Sequence, residues 1–212
     1  MGIDNRDVMP PFVPFGRGED GIFALCVQRC YPNALTVHLP FAMAHEPEEA
    51  RSYPSGAMAQ GLARTKFGTI VESAIHHLVP RSTASDPSRN LRAMGRALQA
   101  LGSAPLPEFH AQVRWACWTT LGAQVARLEA SLDEHPDGPA YWRADVESQI
   151  RHAREVLLRP DYPASDELGG LAADQAAIRK FGELMQCWPD VVAACRDLRR
   201  RGVPIGVSLG SR

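Results

Sequence analysis

The stretch Pro14-Phe15-Gly16-Arg17-Gly18-Glu19-Asp20-Gly21-Ile22-Phe23 places two carboxylates, Glu19 and Asp20, between glycines at a predicted helix start. Downstream, His38-Leu39-Pro40-Phe41-Ala42-Met43-Ala44-His45-Glu46-Pro47 adds two imidazoles, with His45 standing 25 residues after Asp20. A positioned carboxylate can take a proton as general base, and an imidazole nitrogen is a common metal ligand. Brought into one cleft, these groups would deprotonate a hydroxyl nucleophile beside a bound ion. Arg17 adds a cation next to the acidic pair, placed either to pair with it or to meet a phosphate.

The elements that would position these groups follow from periodicity. Ile22, Phe23, Cys26 and Cys30 recur at helical spacing, which predicts a helix over 19–30 with Glu19 and Asp20 at the positive end of its dipole. Tyr31-Pro32-Asn33 ends it, and Ala34–Leu39 is predicted as a short strand stopped by Pro40. Helix, turn and strand would bring the histidines back toward the acids. Residues 46–56, rich in Glu, Pro, Ser and Gly, read as a linker.

Beyond the linker the patterns are helical. One helix is predicted over about 57–79, and a second is marked by Leu91, Met94, Leu98 and Leu101. A third carries Phe109, Val113, Cys117, Leu121, Val125, Leu128 and Leu132, the strongest periodic signal in the chain. A fourth is predicted over about 140–158. A last helical region over about 171–201 is expected to divide at Trp188-Pro189, because proline suits the first turn of a new helix. Gly202 to Ser208 reads as an extended tail. The expected fold class is α+β, predominantly α-helical, with a small mixed segment over 1–50 and a helical domain over 51–212.

Several side chains have plainer readings. Glu19 and Asp20 would stabilise a helix start without doing chemistry. Glu72 and His76 share a helix face, but their spacing fits neither His-Glu-x-x-His nor the Glu-x-x-His of di-iron bundles. Trp115, Trp118, Trp142 and Trp188 fall at core spacing and are expected inside. Arg196, Arg199, Arg200 and Arg201 complement the negative end of the last helix.

Composition sets outer limits. The 212 residues are 45% hydrophobic and 22% charged, which is ordinary for a globular chain able to bury a substantial core. A net charge of −1 supplies no field for nucleic acid or an anionic membrane surface. Lys66 and Lys180 are the only lysines, so the arginine excess is a compositional habit rather than a phosphate site. The five cysteines are scattered and odd in number, as expected for reduced thiols in the cytoplasm. No apolar run reaches the ~20 residues of a membrane span.

Residues 4–47 resemble the acceptor-side part of a GT-A-fold glycosyltransferase of the broad family-2 kind. In that family a glycine-bearing loop leads to a Glu-Asp motif at a helix start, and a later histidine completes the metal site. The resemblance implies that Asp20 is the catalytic base with Glu19 beside it, and that Gly16, Arg17 and Gly18 form the substrate-side loop. It also implies His45 as metal ligand, with His38 as a second candidate, and a divalent cation, Mn or Mg. The reaction implied is glycosyl transfer from a nucleotide-sugar to a hydroxyl acceptor. No Asp-x-Asp motif or nucleotide-binding half precedes the loop; Asp4 and Asp7 read as part of a turn. The expectation is therefore a partial enzyme, completed by a missing N-terminal region or a partner chain. The alternative is a non-enzymatic helical interaction module that keeps a vestigial motif.

Overall fold

A computed structural model of the chain describes residues 7–35, 65–82 and 84–203. Six helices run through them: α1 (Glu19–Cys30), α2 (Phe67–His77), α3 (Pro87–Ser103), α4 (Leu106–Glu134), α5 (Ala140–Leu157) and α6 (Leu171–Arg200). The expected helical predominance is met. No strand occurs among the described residues, so the mixed part of the α+β expectation is not seen there. Most of the predicted strand Ala34–Leu39, the 46–56 linker, positions 57–64 of the next predicted helix and the tail beyond 203 lie outside the described residues.

Local chemistry sets the helix ends. Helix α1 starts and stops where periodicity places it. Helix α3 begins four residues before its first apolar marker, because Asp86 accepts a 2.9 Å bond from the Ser88 amide and Pro87 takes the first turn. Helix α4 likewise carries Pro107 in its opening turn. Buried Asn90 donates to the carbonyls of Cys30 (3.0 Å) and Ala84 (2.8 Å), giving a partner to one of the carbonyls that α1 leaves open at its end. The Arg29 guanidinium does the same for α2, donating to Ile75 (2.7 Å) and His76 (3.0 Å).

The expected division at Trp188-Pro189 does not occur: α6 is one 30-residue helix with Pro189 inside it. A proline removes one backbone bond, and here tertiary anchors flank the gap. Met185 is fully buried before it, the Trp188 indole donates to the Met9 carbonyl (2.8 Å), and Asp190 pairs with Arg92 (2.7 Å) after it.

Helices α3 and α6 pack antiparallel, with their backbones in contact through glycine. A Cβ at Gly182 would lie 2.5 Å from the Gln99 amide nitrogen and 2.6 Å from the Gly95 carbonyl oxygen, and one at Gly102 2.6 Å from the Arg179 amide nitrogen. Gln186 donates to Gln99 (2.8 Å), and Gln175 caps the α3 end through the Ala104 carbonyl (2.6 Å). Helices α4 and α5 form a second antiparallel pair around the 135–139 turn, held by Arg154–Glu129 (2.5 Å) and Arg143 on the Pro136 carbonyl (2.7 Å).

One core joins these pairs to α1 and α2. Ile22 and Cys26 of α1 share it with Phe67 and Ile70 of α2, Leu91 and Leu98 of α3, Phe109 and Val113 of α4, and Phe181 and Met185 of α6. The α4 stripe Val113, Cys117, Leu121 and Val125 is buried as its spacing predicts, and Leu128 is half-buried. The tryptophans divide. Trp142 and Trp188 are half-buried against the core, but Trp115 and Trp118 are 53% and 43% exposed, contrary to the expectation of core packing. The reason is angular: Trp115 lies about 200° around the helix from Val113 at 100° per residue, so both cannot face inward.

Asp174, fully buried in the first turns of α6, accepts from the Ser165 amide (2.8 Å) and from the Ser165 hydroxyl. Burial pushes its carboxyl above the usual range, and the two Ser165 bonds oppose that rise. A raised carboxyl pKa means ionisation costs the fold: the contribution is most favourable below the unfolded value and declines as pH rises through the folded one. Asp174→Asn, which keeps an acceptor for the amide, should therefore gain stability relative to the parent between pH 4 and pH 7. Urea midpoints of both proteins at the two pH values check this; a difference constant with pH would show that Asp174 is ionised at no cost.

Candidate functional site

The Pro14–Gly18 loop takes its shape from two left-handed residues, Gly16 at φ +65° and Gly18 at φ +95°, a region L side chains rarely adopt. Gly18 is the N-cap of α1, and its carbonyl accepts the first helical bond from Ile22 (3.2 Å). The loop backbone rests on the first turn of α2, where Gly68 permits contact: a Cβ there would collide with the Arg17 carbonyl oxygen and sit 3.4 Å from the Gly18 Cα.

A third element locks this crossing. Glu167, in the connection between α5 and α6, accepts from the Arg17 amide (3.3 Å) and the Phe67 amide (3.1 Å). Its carboxylate thus holds the loop and caps α2, whose own N-cap residue, Lys66, has no side-chain cap bond. Gly16 must lack a side chain here too, since a Cβ would lie 2.7 Å from Glu167 Oε2.

This frame presents Glu19 and Asp20, both exposed in the first turn of α1. Arg17 is exposed beside them. Below them, Glu72 of α2 lies against Gly21, where a Cβ would collide with its Oε1. Half-burial pushes the Glu72 carboxyl above its ordinary range. Phe23, on the inward side of the same turn, is buried and stacks on Phe12 with ring centroids 4.3 Å apart. The loop and the first turn of α1 thus rest on α2 and on Glu167 of the α5–α6 connection.

Gly16, Arg17, Gly18, Glu19 and Asp20 are consecutive, and all five are exposed in the loop and the first turn of α1. His38 and His45 lie outside the described residues, so their distance from Asp20 is not part of the geometry. Among the described residues no group of three or more His, Cys, Asp or Glu side chains could hold a metal ion. His76 sits among cations: partial burial first, then Arg29, His77 and Arg81, hold its pKa below the usual value, a poor setting for a dication. Three of the C-terminal arginines are engaged as well. Arg200 and Arg201 pair with Asp197 (3.4 and 2.7 Å), and Arg196 donates to the Asp7 carbonyl (2.7 Å).

Sequence reading missed Glu167 and Gly68. Glu167 is 150 positions from Arg17 and carries no periodic or motif signal. Gly68 fell inside a helix predicted to begin about ten residues earlier, which hid its place in a first turn. The cysteines follow expectation in part: Cys26, Cys30 and Cys117 are buried free thiols, and Cys187 is exposed. Burial pushes the Cys30 thiol up to about 12 and Cys117 up to about 11, which suits inert packing groups. No helix among the described residues is long and apolar enough to cross a membrane. Comparisons of the chain with protein-family models, with curated proteins and with solved structures find no match.

Proposed function

We propose that this chain carries the acceptor side of a glycosyl-transfer site. The observation that supports this most is the construction around Asp20: two left-handed glycines, the Gly68 crossing and the Glu167 clamp fix a loop whose product is an exposed acidic helix start. A cap alone needs none of this, since one Ser or Asp side chain caps a helix, as Asp86 does for α3.

In this reading Asp20 accepts the proton of an acceptor hydroxyl as its oxygen attacks the anomeric carbon of a nucleotide-sugar. The new C–O bond forms as the bond to the diphosphate breaks, and the pair of electrons leaves with the diphosphate. Glu19 stands one residue away in the same exposed first turn of α1. The exposed Arg17 guanidinium would meet an anionic group of the substrate. The divalent Mn or Mg ion remains part of the proposal through His45 and His38, but the described residues offer it no ligand set, and no step is routed through it. The nucleotide-sugar-binding half is proposed to come from a further segment or a partner chain, and the reading needs neither nucleic acid nor a membrane.

The test is release of nucleoside diphosphate from uridine- and guanosine-diphosphate sugars with Mn²⁺, measured with and without an added donor-binding half. The 212-residue chain alone should show no saturable nucleotide-sugar binding by calorimetry. The complemented protein should turn over, and Asp20→Asn should lower its rate by about 10²–10⁴-fold, the usual contribution of a general base. Turnover unchanged in Asp20→Asn would remove the base role, and no turnover in either arrangement would favour the non-enzymatic interaction module.

A further inference from the structure

The turn between α4 and α5 walls a cavity of about 570 Å³ whose lining is both acidic and aromatic: Glu134, His135 and Asp137 stand with Tyr141 and Trp142. That volume falls in the ~300–1,000 Å³ range of small-molecule sites. Neither Glu134 nor Asp137 has an ion-pair or hydrogen-bond partner among the described residues. Arg143, close by in sequence, is engaged with backbone instead, donating to the carbonyls of Pro136 (2.7 Å) and His135 (3.5 Å). With His135 neutral, the lining therefore carries two uncompensated carboxylates and no cation.

The walls are fixed. The Gly138 amide donates to the His135 carbonyl (3.1 Å), and prolines at 136 and 139 each lock one φ of the turn. Trp142 packs half-buried against the core. Its indole lies against Gly138, where a Cβ would sit 2.7 Å from the ring carbons, and the His135 ring meets it edge-on with centroids 6.1 Å apart. Tyr141 is 80% exposed, which leaves its phenol ring open to a ligand. The acids do not act as one point: Glu134, His135 and Asp137 line the same cavity without forming a group that could hold a metal ion. Their negative charge is spread around the cavity instead.

We propose that this cavity binds an aliphatic polyamine, with separate ammonium groups on Glu134 and Asp137 and the methylenes between them lying on Tyr141 and Trp142. Charges that do not converge match a ligand whose own charges are separated, whereas a single inorganic cation needs oxygens gathered about one point. A neutral ligand would stack on the rings but leave both carboxylates uncompensated, and an anion would be repelled. Ammonium groups are also attracted to the faces of tyrosine and tryptophan. Exposed contacts of either kind are individually weak, so a Kd of about 0.1–1 mM at low salt is expected. The cavity shares no residue with the Asp20 loop and does not depend on the glycosyl-transfer reading, which is tested by turnover.

Calorimetric titration of the 212-residue chain with spermidine and with 1,6-diaminohexane, at about 20 mM ionic strength to limit screening, should show saturable binding of both. Hexane-1,6-diol, equal in length and uncharged, should not bind. Glu134, Asp137 and Tyr141 are exposed, so Glu134→Gln with Asp137→Asn, and separately Tyr141→Ala, should keep the parent circular dichroism. The first pair should weaken binding at least about tenfold and Tyr141→Ala at least about threefold. Glu155→Gln with Glu183→Gln removes the same charge from exposed sites outside the cavity and should leave affinity within about twofold of the parent. A parent that binds neither amine overturns the proposal. So does hexane-1,6-diol binding as tightly as the diamine, which would make the cavity a neutral slot. Equal weakening in the two charge-removing pairs also overturns it, since the amines would then follow the overall charge rather than this cavity.

Discussion

Gly182→Val is expected to destabilise the protein by more than about 3 kcal/mol, beyond the usual range for overpacking. The new Cβ would lie 2.5 Å from the Gln99 amide nitrogen and 2.6 Å from the Gly95 carbonyl oxygen. Both are backbone atoms of α3, so no side chain can turn aside, and α3 and α6 must separate. Separation breaks the Gln186–Gln99 bond and draws Gln175 from the end of α3. The gain in helix propensity on replacing glycine, at most about 1 kcal/mol, is too small to compensate. Gly122→Ala is the matched control: it too lies inside a long helix, but its Cβ meets nothing within 4 Å, so it should stabilise by up to about 1 kcal/mol. Urea unfolding at low protein concentration decides. Similar midpoints for the two variants would mean that α3 and α6 do not meet through Gly182.

The second large effect is expected at Phe109. Its side chain has no exposed surface and is among the largest fully buried groups in the core. Phe109→Ala should cost about 3–5 kcal/mol through lost transfer energy and the cavity left behind. Leu121, on the same inward stripe three turns later, keeps 9% exposure, so Leu121→Ala should fall toward the lower end of the 2–5 kcal/mol range for such truncations. Ala126→Gln, on the exposed face, should move stability by no more than about 0.5 kcal/mol. Chemical denaturation of the three variants should give that order. If Leu121→Ala costs as much as Phe109→Ala, the α4 stripe is buried evenly along its length rather than most deeply near its N-terminal end.

What sequence could supply was decided by the range of the interaction. Helix α1 was readable because its cause is local: an apolar stripe from Ile22 to Cys30, acids at one end and Tyr31-Pro32 at the other. The inward stripe of α4 was readable for the same reason. The early start of α3 was available but overlooked, since Asp86-Pro87-Ser88 is a cap with a proline in the first turn. Pro189 misled because a strong local rule was overridden by anchors elsewhere, on Met9 and Arg92. The exposed tryptophans were not legible from hydrophobicity alone, because the angle at which each side chain leaves the helix decides which face it joins. At the site, the two glycines and the acidic pair were legible as a motif. The residues that hold them, Gly68 and Glu167, were not, because a glycine tolerated in a helix and a carboxylate in a connection acquire meaning only from a neighbour far along the chain.

The Glu167 clamp has a consequence for how the protein is made. Arg17 emerges from the ribosome early, yet the carboxylate that receives its amide is synthesised 150 residues later. Synthesis at about 5–20 residues per second leaves the motif loop waiting on the order of 10 seconds for the group that shapes it. The anchors of the segment before it come later still, in Trp188 and Arg196 of α6. Helix α1 can form as soon as it emerges, but the loop in front of it matures only when nearly the whole chain is present. A nascent chain stalled after α5 would therefore carry every residue of the Gly-Glu-Asp motif and still hold it in the wrong shape.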